Sequence, residues 1–190
     1  MVTVRRNPAG IESTYIDCLN TSFGNWGGLD MYRWSFERTV GSHKSDLLLL
    51  EMDGRPIAGS GVTYRQINLA NDKRIHVGIM CGSWTIPGFR QRGYFTRIIR
   101  ESVVMAAEKG AALLLAFVTR SNPSYRRLEE AGAALFPTYY LFSPTDAPIR
   151  DCGPLVRPVE DWQQSLDFIA NHLETKQAGH TRVAYTPSQW

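Results

Sequence analysis

The hydrophobic period of this chain changes from that of strands to that of a helix near residue 90, and that change restricts the folds open to it. Between residues 47 and 86 the pattern is that of strands joined by tight turns. Residues 47–52 (LLLLEM) are an apolar run, and Asp53-Gly54 is a strong hairpin signal ahead of Arg55-Pro56. Residues 57–64 make the next strand, with Gly59 and Gly61 inside it, and Asn71-Asp72 turns the chain again before residues 75–86. From Tyr94 the period is helical. Phe95, Ile98 or Ile99, Ser102, Ala106 and Lys109 share one face, and Gly110 stops the helix. Residues 112–118 (ALLLAFV) are then continuously apolar, the pattern of a strand covered on both faces and paired in parallel. An antiparallel meander is joined to one βαβ unit, so the fold class is α+β (mixed α/β).

The flanks extend this frame. Residues 2–5 read as a first strand. Asn7-Pro8 places a capping residue before a proline at the first helical position, and Ile11, Tyr15, Cys18 and Leu19 follow at helical spacing. Gly24, Gly27 and Gly28 break that helix, and Asp30 is placed to cap a second, short one carrying Met31 and Trp34. Downstream, Asn122-Pro123 starts a short helix that ends at Gly132, and the aromatic-rich residues 135–142 read as a strand. The turn-rich SPTDAPIR (143–150) is a boundary. It divides the chain into a domain over 1–145 and an extension over 146–190, with a strand at 155–159, an amphipathic helix through Trp162, Leu166, Ile169 and Leu173, and a β-like run at 182–185. The order strand, helix, tryptophan in this extension echoes the start of the chain. It reads as the beginning of a second unit of the same kind; the alternative is an extension that caps the sheet or joins two copies in a homodimer.

Composition excludes several classes. At 190 residues and 43% hydrophobic, the chain can bury one real core, and its aromatic content of 11% rules out a disordered solvated chain. A net charge of +3 from scattered residues is not the one-sided basic field of a nucleic-acid binder; the densest group is Arg90, Arg92, Arg97 and Arg100. The apolar runs fall short of the roughly 20 residues of a spanning helix, and no apolar segment follows Arg5 and Arg6 as in a secretory signal. Cys18, Cys81 and Cys152 are few and odd in number, which sets the expectation of a reducing cytoplasm. No cluster has metal-ligand spacing, so no metal is expected.

The informative segment is PGFRQRGYFT (87–96), between a strand and a helix. A helix N-terminus leaves about four backbone N–H groups without partners and carries roughly half a positive charge. Gly93 allows a tight turn and close approach, and Arg90 and Arg92 add charge, which together suit a pyrophosphate. The nucleoside-triphosphate pattern GxxxxGK[ST] is absent, and a dinucleotide GxGxxG begun at Gly59 and Gly61 fails at Tyr64.

These residues resemble the GNAT superfamily of acyl-CoA-dependent N-acetyltransferases. The family signature [Q/R]-x-x-G-x-[G/A] falls on Arg90, Gly93 and Phe95, the preceding hydrophobic-x-Pro element on Thr85-Ile86-Pro87, and the Asn-helix-Gly element on Asn122 and Gly132. The order of elements matches over roughly residues 1–143. Phe95 departs from the usual small residue. Phe23-Gly24-Asn25-Trp26 and the Asp30 to Trp34 spacing are similar to one branch of the family that also carries a phenylalanine there. The resemblance implies a GNAT-like fold with a splayed pair of central parallel strands and acetyl-CoA as co-substrate. Backbone groups of Ser83 and Thr85 would meet the pantetheine arm. The loop residues Arg90, Gln91, Arg92, Gly93, Tyr94, Phe95 and Thr96 would hold the pyrophosphate, and Asn122 would touch the pantetheine or order the helix after it.

The implied reaction is direct attack of a small molecule's primary amine on the thioester. An alkylammonium near pKa ~10.4 is about one part in a thousand neutral at pH 7, so a base or water relay is called for. His76 is the candidate base, with Glu51 and Glu129 as alternatives. Many relatives carry a tyrosine seven residues after the motif asparagine as the acid for the thiolate. Glu129 stands there, and Tyr125, one turn earlier on the same face, is the candidate acid. Trp26, Tyr32 and Trp34 are placed either to line an acceptor pocket or to close the core, and Cys81 reads as a small core residue rather than a nucleophile. Gly59, Gly61 and Gly82 hint at room for a longer acyl chain, borne by CoA or a carrier protein. A non-catalytic acyl-CoA-binding module is the remaining alternative.

Overall fold

The computed structural model describes residues 1–37, 39–40, 43–69, 73–137 and 182–184. The strands are β1 (Val2–Arg6), β2 (Thr39–Val40), β3 (His43–Lys44), β4 (Asp46–Met52), β5 (Arg55–Asn68), β6 (Arg74–Thr85), β7 (Leu113–Ala116) and β8 (Arg182–Ala184). The helices are α1 (Glu12–Phe23), α2 (Leu29–Tyr32), α3 (Tyr94–Glu108) and α4 (Pro123–Glu130), and α2 runs on into a π-helical turn, Arg33–Glu37. The main sheet has the order β1-β4-β5-β6-β7, with β8 beside β5; β2 and β3 form a separate two-stranded ribbon. All pairings in the main sheet are antiparallel except β6–β7, which is parallel. The α+β meander joined to a βαβ unit is therefore what the chain forms.

Local chemistry accounts for the joints. Met52 faces Arg55 across a two-residue loop. Asp53 and Gly54 both take positive φ, 51° and 75°, as the favoured hairpin turn requires. Strand β4 reads as an unbroken apolar run because it is covered on both sides. Leu47 and Leu49 pack with Tyr15, Leu19, Phe36 and Trp84 beneath α1 and α2. Leu48 and Leu50 pack with Ile57, Met80, Ile98, Met105 and Leu128 beneath α3 and α4. Each such leucine removed from water contributes about 1.5–3 kcal/mol. Helix α3 presents Ile98, Ile99, Ser102, Met105 and Ala106 to the sheet, and Lys109, expected on that face, sits at its margin near Asp46, 4.0 Å away.

Two helix starts differ from expectation. Asn7 does not cap α1, whose N-cap is Ile11 without a side-chain bond. Instead Asn7 takes φ 48°, accepts from the Leu47 amide at 2.7 Å and donates to Asp46 at 2.7 Å. A short polar side chain at the end of β1 satisfies the neighbouring strand before the helix has begun. Asp30 likewise lies inside the first turn of α2, with Gly28 at the cap. Strand β7 is four residues long, and Leu113 and Phe117 are exposed, so 112–118 is not covered on both faces by the described residues. Residues 133–137 form no strand. The remainder of the expected strand at 135–142, the boundary at 143–150, and the strand and helix expected at 155–173 lie outside the described residues.

Close packing makes Gly59 a test of this arrangement. A Cβ there would sit 2.6 Å from the Trp84 indole and 2.9 Å from the Leu48 carbonyl oxygen, a backbone atom that cannot swing aside. Gly59→Ala is expected to destabilise the fold by about 1–3 kcal/mol, read as a lowered denaturation midpoint at unchanged m-value.

Candidate active site

The loop after β6 carries the expected geometry for an anion. Pro87–Phe89 form a single 3-10 turn, and the chain then passes through Gln91 at φ 64° and Gly93 at φ 80° into α3. Gly93 is the N-cap, and no side chain caps the helix. The α3 ladder opens with Arg97 N–H donating to the Gly93 carbonyl at 3.2 Å. The amides of Tyr94, Phe95 and Thr96 precede it and have no partner within the helix. Residues 90–93 are exposed, and a Cβ on Gly93 would meet nothing within 4 Å. The space over these amides is open. Phe95 and Tyr94 pack their side chains against the core under α3, so the unusual aromatic at the last motif position does not obstruct the loop. Arg92 lies 5.6 Å over the Phe89 ring at the mouth.

The Arg90 side chain turns away from the open loop. Its Nε donates to the Thr85 carbonyl at 3.1 Å and its Nη2 to the Ser22 carbonyl in α1 at 2.9 Å. Its own amide donates to Pro87 at 3.3 Å.

Beside the loop, β6 parts from β7. The parallel register runs only from Val77↔Leu113 to Met80↔Ala116, whereas β6 continues to Thr85 along β5. The cause is a β-bulge. Gly59 faces Trp84 and Gly61 faces Cys81, so Gly82 and Ser83 together oppose Ser60. Gly82 has φ 52°, a left-handed conformation, and a Cβ there would lie 2.8 Å from Phe36. The extra residue bends β6, and the edge over residues 81–85 faces no strand among the described residues. Ser83 and Ser60 join hydroxyl to hydroxyl at 2.7 Å across the bulge. Ser83 and Thr85 thus stand where an extended ligand arm could pair with backbone groups, next to the helix N-terminus.

An aromatic wall covers the other face of the bulge. Phe36 lies against both Gly61 and Gly82, and Trp26 stacks on it at 6.0 Å with 19° between planes. The loop carrying Trp26 is held by Asn20, which accepts from the Trp26 and Gly27 amides at 2.8 and 3.1 Å and donates to the Gly27 carbonyl at 2.9 Å. Of the three aromatics singled out in the sequence, Tyr32 is buried in the core, Trp26 borders Phe36 and Trp34 is exposed. The room hinted at by small residues is filled: Trp84 occupies it at Gly59, and Phe36 at Gly61 and Gly82. Asn20, Phe36 and the bulge carry no motif that a sequence reading would single out.

The candidate acid–base residues do not converge. Asn122 caps α4, accepting from the Ser124 amide at 2.9 Å, and Tyr125 is half-buried in the first turn while Glu129 is exposed. Glu51 is engaged by Arg5 at 3.0 Å, on the β1 side of the sheet. His76 pairs with Gln66 near the start of β6. Seven residues of strand put it about 20 Å from Ser83. Its ring stacks on Tyr64 (5.2 Å) and His43 (4.3 Å), and its Nε2 is buried without a partner. Tyr64 donates to Asp46 at 2.5 Å in the same corner. Cys81, five residues from His76, packs on the α1 side of the core.

This combination of splayed parallel strands, bulge and open helix N-terminus defines a class of fold, and comparison with known proteins agrees. A profile of the acetyltransferase (GNAT) domain family matches residues 3–129. The chain belongs to that family. Solved structures share the fold at low identity. Aminoglycoside N-acetyltransferase AAC(6')-Iy, in complex with a CoA bisubstrate analogue, superposes with a TM-score of 0.63 at 14% identity over 76% of this chain and 98% of its own. Glucosamine-6-phosphate N-acetyltransferase from Arabidopsis thaliana gives 0.57 at 14% identity, over 77% and 99%. Aminoglycoside 6'-N-acetyltransferase AAC(6')-IG from Acinetobacter haemolyticus gives 0.57 at 17% identity, over 75% and 97%. No curated protein matches the chain by sequence.

The position of His76 yields a prediction about stability. Burial first, and then the neighbouring His43, push its pKa below the ordinary 6.5. The folded chain therefore resists a proton that the unfolded chain accepts. Its stabilising contribution is full above about pH 6.5 and is lost as pH falls through the lower folded-state value. Melting followed by circular dichroism is expected to show a midpoint falling from about pH 7.5 to about pH 5, and His76→Phe to flatten that dependence.

Proposed function

We propose that this protein is an acyl-CoA-dependent N-acyltransferase that moves an acetyl group from acetyl-CoA to a primary amine of a small molecule, with the activity carried by residues 1–145. The observation that carries the reading is the bulge-driven opening between β6 and β7 directly beside the uncapped N-terminus of α3. In this reading the amides of residues 91–96 bind the pyrophosphate. Backbone groups of Ser83 and Thr85 bind the pantetheine arm, and one of those N–H groups polarises the thioester carbonyl. The filled space at Gly59, Gly61 and Gly82 favours acetyl over a long acyl chain. The sparse cysteines of the chain suit a reducing compartment such as the cytoplasm.

The amine attacks the acetyl carbon, the carbonyl electrons move to oxygen, and collapse expels the CoA thiolate, which Tyr125 protonates. Deprotonation of the ammonium is assigned to water at the open mouth, since His76 stands at the far end of β6 and Glu51 is paired with Arg5. With no residue base, kcat/KM is expected to rise with unit slope up to the acceptor's own pKa, without an inflection in the histidine range, and His76→Phe to leave it within about twofold.

Release of free CoA from acetyl-CoA, measured across a panel of aminoglycosides, amino sugars and amino acids, tests the activity; no turnover with any of them, despite tight acetyl-CoA binding, would point to a binding module. Gly93→Val forces a β-branched residue into φ 80° over the pyrophosphate position. It is expected to lower acetyl-CoA affinity at least about a hundredfold by calorimetry while β-sheet circular dichroism is retained. Tyr125→Phe is expected to lower kcat about tenfold or more with acetyl-CoA affinity unchanged.

A further inference from the structure

The arginine that opens the family motif is engaged with the protein itself. Its guanidinium bridges two carbonyls that belong to different layers: Thr85 at the end of β6 and Ser22 in the last turn of α1. The Ser22 carbonyl is among the last four of α1, which have no partner inside the helix and carry the negative end of its dipole. Helix α1 has no basic residue in its last turn, and Gly24 follows at φ 83°. Arg90 therefore supplies, from another part of the chain, the cation that this helix end lacks.

The same helix end carries the aromatic wall. Asn20, two residues before Ser22, fixes the turn that presents Trp26, and Trp26 stacks on Phe36, which rests on the bulge at Gly82. On the other side, Arg90 leads into the turn through Gln91 and Gly93 that an anion on the α3 amides would fix. Resting on the reading above, the geometry points to Arg90 as a positioning residue: it registers the end of α1 and the Trp26–Phe36 wall on the CoA loop, so that filling the loop also orders the end of α1 and that wall. It binds neither phosphate nor acceptor. The residue touches substrate through nothing but the backbone it holds in place.

Hydrogen–deuterium exchange read by mass spectrometry, with desulfo-CoA and CoA as probes on the full chain, tests this. In the wild-type protein, CoA is expected to slow exchange over residues 22–28 as well as over residues 91–97. In Arg90→Met, residues 22–28 are expected to exchange about five- to tenfold faster without ligand. They should gain no protection from CoA, while residues 91–97 still do and CoA affinity by calorimetry shifts less than about threefold. Exchange in β4 and β5 should be unchanged, which separates loss of register from loss of fold. Arg90→Lys, able to reach one carbonyl, is expected to restore part of the protection. Equal protection of residues 22–28 in wild type and Arg90→Met overturns the proposal. So does a loss of CoA affinity of about a hundredfold in that variant, which would make the guanidinium a phosphate ligand. Failure of wild-type protein to bind CoA at all would instead overturn the functional reading on which the proposal rests.

Discussion

One extra residue in β6 organises the molecule. Because Gly82 and Ser83 share a single partner, Ser60, the strand bends where its antiparallel ladder to β5 continues but its parallel ladder to β7 has ended. An ordinary ladder would have kept β6 and β7 in contact and covered the backbone groups of residues 81–85. The bulge turns that edge away from β7, so that it faces no strand among the described residues, and aims the strand into the loop whose amides lead α3. A strand edge and the leading amides of a helix are thereby set side by side. That juxtaposition is what an extended thioester arm with a diphosphate at one end calls for.

The bulge persists because both faces of the sheet hold it. On one face Phe36 packs against Gly61 and Gly82, and Trp84 fills the space left by Gly59; side chains at these glycines would displace rings packed at van der Waals contact. Tyr15 meets Phe36 and Trp84 edge to face, each at 5.5 Å. On the other face the Ser60–Ser83 hydroxyl pair satisfies polar groups beneath α3. The glycines look like vacant space in a sequence and are contact surfaces in the fold. Surface ion pairs such as Arg126 with Glu130 add little beside such packing.

Much of the frame was legible because it depends on local chemistry. The Asp53-Gly54 hairpin, the helical period after Tyr94, the Gly93 turn and the Asn122 cap each depend on a few adjacent residues, and each stands where the pattern placed it. The differences lie where one residue could serve two partners. Asn7 before Pro8 is a credible helix cap, yet the free amide of Leu47 on the neighbouring strand captured it. His76 was attractive as a base because it precedes the loop on the same strand. A twelve-residue β6 puts its two ends far apart. Arg90, expected at the phosphates from its motif position, sends its guanidinium to the end of α1, sixty-eight residues earlier in the chain.

The linear chain thus decided the order of strands and helices, the change of period that joins a meander to a βαβ unit, and the donor-rich start of α3, since propensities and turn chemistry act over a few bonds. Only the folded chain decided where β6 leaves β7, what fills the glycine positions, and which layer Arg90 clasps. Those outcomes rest on contacts between residues distant in sequence, and packing selects among partners that the pattern leaves equivalent.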